Sequence, residues 1–356
     1  MEINNPNPER ELSSRQSEIF RILVQEYIST ANPVGSGTIQ KIGGMEISSA
    51  TIRNELASLE EMGFLTQPHT SAGRIPTVQG YRYYVERLMQ HVDLPAIERH
   101  MIRHQFHQIR LDLEQWMRLT AAILAHKAQS ASLVTPPHAV NSRFKYLEIV
   151  SIRDTLCLMI LVLHDSSVYQ KMLSLNEPKS QDDLKKISNK LNELLKNRSV
   201  RDIRNSTNPE LTGLQGLEAE VFEHVLMQMR QADQRLFRNI YQDGLVNVLH
   251  QPEFVEPAKF RQLVELLEQR DYLETVLSRI LNANGVQIII GSEGLHEDIL
   301  DISLVLSPYG IKGKASGVLG IMGPTRMQYS RVISTVQYIA QLMDGLIADM
   351  YNTGSL

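Results

Sequence analysis

"SSATIRNELASLEEMGFLTQPHTSAGRIPTVQGYRYYV" runs from Ser48 to Val85. Either serine at its start suits a helix N-cap, where a hydroxyl accepts from a first-turn backbone N–H. Ile52, Leu56 and Leu59 then recur at helical spacing, the stripe of a helix buried on one face. Gly63 suits the C-terminal end, because glycine tolerates the left-handed conformation found there. "FLTQ" (64–67) reads as a strand, "QPHTSAGRIPT" (67–77) as a punctuated polar loop, and "RIPT" (74–77) as a short return strand. Helical pattern resumes over 78–92. A helix therefore runs directly into a hairpin.

Upstream, Leu12, Ile19, Ile22, Leu23 and Tyr27 share one helical face. "STANPVGSG" (29–37) ends that helix, and Ser36–Gly44 forms a second, short one. Residues 1 to about 10 read as disordered. Helix, short helix, turn, helix and hairpin is the order of a winged helix-turn-helix. In that arrangement the start of the third helix enters the major groove. Its outward positions here are Ser49, Ala50, Thr51, Arg53 and Asn54. Arginine matches guanine O6 and N7, asparagine matches adenine N6 and N7, and the methyls of Ala50 or Thr51 match thymine.

The hairpin loop supplies a second contact, through His69, Thr70, Ser71, Gly73, Arg74 and Thr77. From Met62 to Val85 the chain has Arg74 and Arg82 and no acid, although the whole chain carries a net charge of -4. Hydroxyls, backbone N–H groups and a local cation are what a phosphate surface needs. Arg74 is expected to neutralise a phosphate or to enter the minor groove. The same residues also suit a solvated surface, and some winged helices bind protein instead.

The remaining composition narrows the class. A chain of 356 residues with 42% hydrophobic and 21% charged residues is an ordinary globular protein of two or three domains. The apolar run "LCLMILVL" (156–163) is too short to span a bilayer, and the N-terminus resembles no signal peptide. One cysteine, Cys157, allows neither an intrachain disulfide nor a cysteine zinc site. These features predict a cytoplasmic protein.

Downstream, 96 to about 130 reads as one long helix. Strands are expected in "FKYLEIVSI", "LCLMILVLHD" and "VYQKMLSL", helices from 180 to 240 and from 258 to 284, and strands in "GVQIIIGSE", "DISLVLSPY" and "ASGVLGIMG". A closing helix follows, with Pro324 near its start. The C-terminal part is thus an α+β domain interrupted by a polar helical insert.

Other constellations carry less. His100, His104 and His107 share a helix face, as metal ligands do, yet a solvated face explains them and no metal is expected. "SGVLGIMGPTRM" leads into a helix where Arg326 could hold an anion, but a tight strand-to-helix turn explains it. Cys157 reads as an inert buried residue, and Trp116 and Met117 as core or interface. "YQDGLVNVLHQPEF" (241–254) suits a turn with a structural role. No nucleophile, paired-carboxylate or dinucleotide signature appears, so the chain is not expected to be an enzyme or to hold a cofactor.

"PVGSGTI", the 48–85 stretch, "YQDGLVNVLHQPEF" and "GVLGIMGPTRMQYSRVI" together resemble the HrcA family of heat-inducible transcription repressors, over nearly the whole chain and in order. The resemblance implies an α+β multidomain fold: a winged helix-turn-helix at 1–95, a GAF-like domain in two parts at 96–178 and 258–356, and an inserted, mostly helical dimerising domain at 179–257. It implies a negative regulator of class I heat-shock operons, those of the GroE and DnaK chaperones. That regulator would bind double-stranded DNA as a homodimer, at the CIRCE inverted repeat, and be kept active by the GroEL chaperonin. A small-molecule-sensing GAF-type regulator with secondary DNA binding is the alternative. The family carries arginine after "PVGS" where this chain has Gly37, and its Glu-Asn after "IG" is replaced in "GSEGL".

Overall fold

The computed structural model describes residues 11–353, apart from 45, 70–71, 91, 110–111, 138–141, 165–166, 207, 235–239, 257–258, 260, 262–263, 266–269, 294–300 and 313–314. The first ten residues, read as disordered, lie outside this set.

The N-terminal head consists of α1 (Ser14–Thr30), α2 (Ser36–Gly43), α3 (Ser49–Glu61), β1 (Leu65–Thr66), β2 (Ile75–Pro76) and α4 (Val78–Tyr83), which continues as a π-helical turn over Tyr84–Leu88. Ser13 caps α1 in a reciprocal box with Gln16. The buried stripes of α1 (Phe20, Leu23, Val24), α2 (Ile39) and α3 (Ile52, Leu56, Leu59) close on one another. The rings of Phe20, Phe64 and Tyr83, with centroids 4.9 to 6.3 Å apart, seal that core against the hairpin.

Further elements follow in chain order: α5 (Ala96–Gln108), α6 (Leu113–Ala128), β3 (Ala131–Val134), β4 (Phe144–Arg153), β5 (Leu156–Leu163) and β6 (Val168–Ser174). Then come α7 (Gln181–Leu195), α8 (Val200–Arg204), α9 (Pro209–Thr212), α10 (Leu217–Gln234), β7 (Tyr241–Asp243) and α11 (Leu245–Leu249). The chain closes with α12 (Arg270–Leu281), β8 (Gln287–Ile290), β9 (Ile302–Ile311), β10 (Ala315–Pro324) and α13 (Tyr329–Thr353).

They form two compact units. The first comprises Met1–Val134, Tyr241–Pro308 and Val318–Leu346, and so contains the head. Its sheet has the order β7-β3-β10-β9-β8, with β3 antiparallel to both neighbours. β10 is buried along its whole length. Trp116, Met117, Ala121 and Leu124 of α6 and Val332, Val336, Ile339 and Met343 of α13 are all buried. Gly244, before α11, has φ 73°, and a Cβ there would lie 2.4 Å from the Ser130 carbonyl oxygen. That close approach explains the turn in "YQDGLVNVLHQPEF".

The second unit comprises Thr135–Ile240, Tyr309–Gly317 and Ile347–Leu356. β4, β5 and β6 form an antiparallel sheet. One face buries Leu147, Ile149, Cys157, Met159 and Leu161 against Leu184, Leu191, Val221, Val225 and Met229 of α7 and α10. The Asn192 amide extends the pairing, accepting from Leu147 N–H (2.8 Å) and donating to its carbonyl (2.9 Å).

Three readings of the sequence differ from this structure. The single helix over 96–130 is two, because Asp112 accepts from the N–H groups of Glu114 and Gln115 and starts a new helix at α6. Pro324 ends β10, and the closing helix begins only at Tyr329. β4–β6, placed by sequence in the GAF-like domain, share the core of α7–α10 in the second unit. A strand's periodicity shows which face is apolar, not which sheet it joins.

Candidate nucleic-acid interface

The turn between α2 and α3 is held from both sides. Gln40 Nε2 donates to the Ile47 carbonyl at 2.9 Å, and the hydroxyls of Ser36 and Ser49 meet at 2.9 Å. Ser48 caps α3, accepting from Thr51 N–H at 3.1 Å while its hydroxyl meets that of Thr51 at 2.9 Å. Of the five residues expected to read bases, Ser49 and Thr51 therefore commit their hydroxyls within the protein. Ala50, Arg53 and Asn54 stand exposed, opposite the buried Ile52 and Leu56. Neither the Arg53 nor the Asn54 side chain has a hydrogen bond or ion pair among the described residues. An uncommitted guanidinium and an uncommitted amide at the positive end of a helix are free to bind acceptors of a polyanion.

The hairpin pairs Leu65 with Pro76 and Thr66 with Ile75. Val34 and Arg74 exchange two backbone hydrogen bonds, both 2.9 Å, and so add a third edge to it. This pairing dictates Gly73: a Cβ there would lie 2.5 Å from the Val34 carbonyl carbon. Gln67 Nε2 donates to the Ala72 carbonyl (2.9 Å), and Ala72 N–H to that of His69 (2.8 Å), folding the tip. His69 is exposed there; Thr70 and Ser71 lie outside the described residues. Thr77 is occupied by the fold, donating to the Gly63 carbonyl (2.6 Å) and capping α4 through Gly80 N–H (3.0 Å).

The two cations of the acid-free stretch both find acids elsewhere. Arg74 donates through Nε (3.1 Å) and Nη2 (2.9 Å) to Glu60 Oε2 of α3, and only 18% of its side chain is exposed. Its Nη1 has no partner among the described residues. Arg82 donates through Nε to Glu293 (2.8 Å) and through Nη2 to the Ile288 carbonyl (2.8 Å). Burial opposes the Arg82 charge, but the hydrogen-bonded Glu293 carboxylate outweighs it and holds the guanidinium above its ordinary pKa. Arg15 is paired with Glu55. Lys41, at the exposed end of α2, is a cation without a partner among the described residues that the sequence did not single out. Only its closeness to the turn before α3 would have marked it. Gly37 lies exposed in open space, so the arginine found there in the family pattern would meet no atom within 4 Å at its Cβ.

The other constellations resolve simply. His100, His104 and His107 are exposed, and no group of three or more His, Cys, Asp or Glu side chains among the described residues is placed to hold a metal. Arg326 is engaged by protein acceptors. Cys157 is fully buried, and burial pushes its thiol up. No helix among the described residues is long and apolar enough to cross a membrane. A cavity of about 430 Å³ lies in the first unit, lined by Ile28 and Tyr84 of the head, Leu94 and Pro95 of the following linker, and Tyr329 and Ser334 of α13.

Residues 11–88 match the family described as the winged helix-turn-helix transcription repressor, HrcA DNA-binding, and residues 114–333 match the HrcA protein C-terminal domain. The chain is 44% identical over 344 residues to the heat-inducible transcription repressor HrcA of Herpetosiphon aurantiacus, covering 96% of this chain and 97% of that one. It is 42% identical over 345 residues to the protein of that name from Roseiflexus castenholzii, covering 96% of each. A solved structure described as a hypothetical protein superposes with a TM-score of 0.57 at 23% identity, covering 95% of this chain and 99% of that one, and supports the fold.

Proposed function

Because the chain belongs to the HrcA family of heat-inducible transcription repressors, we propose that it silences class I heat-shock operons, those of the GroE and DnaK chaperones, by binding the CIRCE inverted repeat as a homodimer. The carrying observation is the uncommitted pair Arg53 and Asn54 on the exposed start of α3. Arg53 reads a guanine and Asn54 an adenine in each half-site, with the Ala50 methyl beside a thymine. Ser49 and Thr51 shape the helix start and touch the backbone. On the wing, His69, Thr70, Ser71 and the Gly73 backbone follow the phosphates. Glu60 orients Arg74 so that its spare Nη1 edge meets one of them, and Thr77 sets the angle at which the wing leaves α4. The chain works in the cytoplasm as a regulator, not as an enzyme.

The second unit supports the dimer. The face of β4–β6 opposite its core leaves Tyr146, Ile152, Val168 and Met172 about half exposed, an apolar surface suited to a second copy. Chaperonin control is consistent with a multidomain chain that folds through exposed intermediates. Refolding with and without GroEL tests that part, and equal active yields would count against it.

The deciding experiment is a gel shift with the inverted repeat and a scrambled duplex at two salt concentrations. Preference for the repeat that survives at the higher salt is the expected result; equal binding to both duplexes refutes the reading. A second reading, a small-molecule-sensing regulator, draws on the cavity beside Tyr84 and Tyr329, whose size is that of a ligand pocket. A metabolite that raises the melting temperature would favour it.

A further inference from the structure

Two motifs remain without a role in DNA contact: the end of "YQDGLVNVLHQPEF" and the arginine of "GPTRM". They meet in the first unit. Arg326, only 12% exposed, donates through Nε to Glu253, through Nη2 to Gln251 Oε1 (2.7 Å) and through Nη1 to the Ile28 carbonyl (3.0 Å). Ile28 belongs to the last turn of α1, where carbonyls run out of intrahelical donors and the helix dipole favours a cation. Glu253 is itself 16% exposed, and its Oε2 is buried without a hydrogen-bond partner among the described residues.

This cluster anchors a buried guanidinium on the core through Glu253 and Gln251 and leaves its third face to hold the Ile28 carbonyl at one end of the head. Arg82 makes the converse contact, reaching from α4 of the head to Glu293 and the Ile288 carbonyl of the core. In the linker that follows the head, the Gln90 carbonyl accepts from Ser330 (3.0 Å) and that of Val92 from Ser334. A guanidinium fixed by two acceptors on the core sets the direction of its third donor as well as its distance, because its donors lie in one rigid plane. Simple adhesion of head to core would be served by apolar packing without burying a charge.

We propose that Arg326, held by Gln251 and Glu253, is a positioning residue that sets the angle at which the core carries the DNA-binding head. It acts on the operator through α1 and touches no DNA. Its effect on operator spacing rests on the reading of the protein as a dimeric repressor. In a two-headed protein, half-site contacts belong to each head, whereas the gain from binding both half-sites depends on the heads being held at the right separation.

The test uses the full chain with Arg326→Gln and, separately, Glu253→Gln, each shown by circular dichroism to be folded at the assay temperature, whatever the fall in its melting temperature. Binding is measured on a single half-site, on the inverted repeat, and on a repeat whose half-sites are moved apart by several base pairs. Half-site affinity is expected to stay within about twofold, while affinity for the natural repeat falls by about tenfold to a hundredfold and preference for its spacing flattens. Unchanged spacing preference in a folded Arg326→Gln protein overturns the proposal, as does an equal loss on half-site and repeat. A second measurement is independent of DNA: spin labels at Lys41→Cys and Gln337→Cys, diluted with unlabelled protein, with the buried Cys157 left in place. The label-to-label distance distribution should broaden in Arg326→Gln; an unchanged distribution refutes the latch. A wild-type protein that ignores the repeat sinks the dimeric-repressor reading, while the label distances still decide the latch.

Discussion

The Arg74 guanidinium of the wing lies against the Glu60 carboxylate of α3, with Nη2 2.9 Å from Oε2. The wing's cation is thus oriented by the helix whose start is proposed to face the DNA, and Glu60 partly cancels its charge. Arg74→Ala should weaken binding to all duplexes about equally and flatten the salt dependence by about 0.9 in the log–log slope, as one lost phosphate contact does. Glu60→Gln should strengthen binding to all duplexes. Titrations between about 50 and 200 mM salt read both effects. A large change in base preference from Arg74→Ala would contradict this role.

Arg53→Ala and Asn54→Ala should each lose discrimination at one base pair per half-site, by about 1–3 kcal/mol, with little change on unrelated duplexes. Anisotropy measurements on operators substituted one position at a time give the pattern. Uniform losses across all positions would show a backbone contact instead.

Gly73→Ala should disrupt the wing, because its Cβ would enter the Val34 backbone at 2.5 Å. Overpacking of this kind costs about 1–3 kcal/mol. Melting temperature and affinity for every duplex should fall together. A variant with wild-type stability and binding would show that the Val34–Arg74 pairing is dispensable.

Charge on the outer face of the β4–β6 sheet should break the proposed dimer. Met172→Asp replaces a half-exposed apolar side chain on that face. Sedimentation should report a monomer whose half-site affinity is retained and whose preference for the repeat is gone. A variant that stays dimeric would place the interface elsewhere.

Lys127 lies 2.6 Å from Glu98. Its hydrogen bond holds the Glu98 carboxyl below the usual carboxylate range, against the opposing effect of burial. A carboxyl with a depressed folded pKa adds stability above its unfolded pKa and loses it as pH falls through the folded one. Glu98→Gln should therefore cost stability at neutral pH and flatten the decline toward about pH 4. Denaturant midpoints at the two pH values measure this; parallel declines would show that Glu98 plays no part.

The head was largely legible in the sequence. Its helices announce themselves by the Ile52, Leu56 and Leu59 stripe, its cap by Ser48 and its hairpin by the proline and glycine of 67–77. The exposure of Arg53 and Asn54 followed from the same periodicity, since residues opposite a buried stripe must face outward. What periodicity could not supply was partnership. Arg74 and Arg82 looked like free cations because their own stretch lacks acids, yet Glu60 lies 14 residues away and Glu293 lies 211.

By itself, then, the sequence determined the local elements of this protein and the faces they bury, because capping, turn chemistry and hydrophobic spacing act over a few residues. Tertiary structure alone decided which charges remain free, which sheet β4–β6 belong to, and why Gln251, Glu253 and Arg326 meet Ile28. Those outcomes depend on contacts between distant segments, where burial makes an unpaired charge costly and so selects its partner.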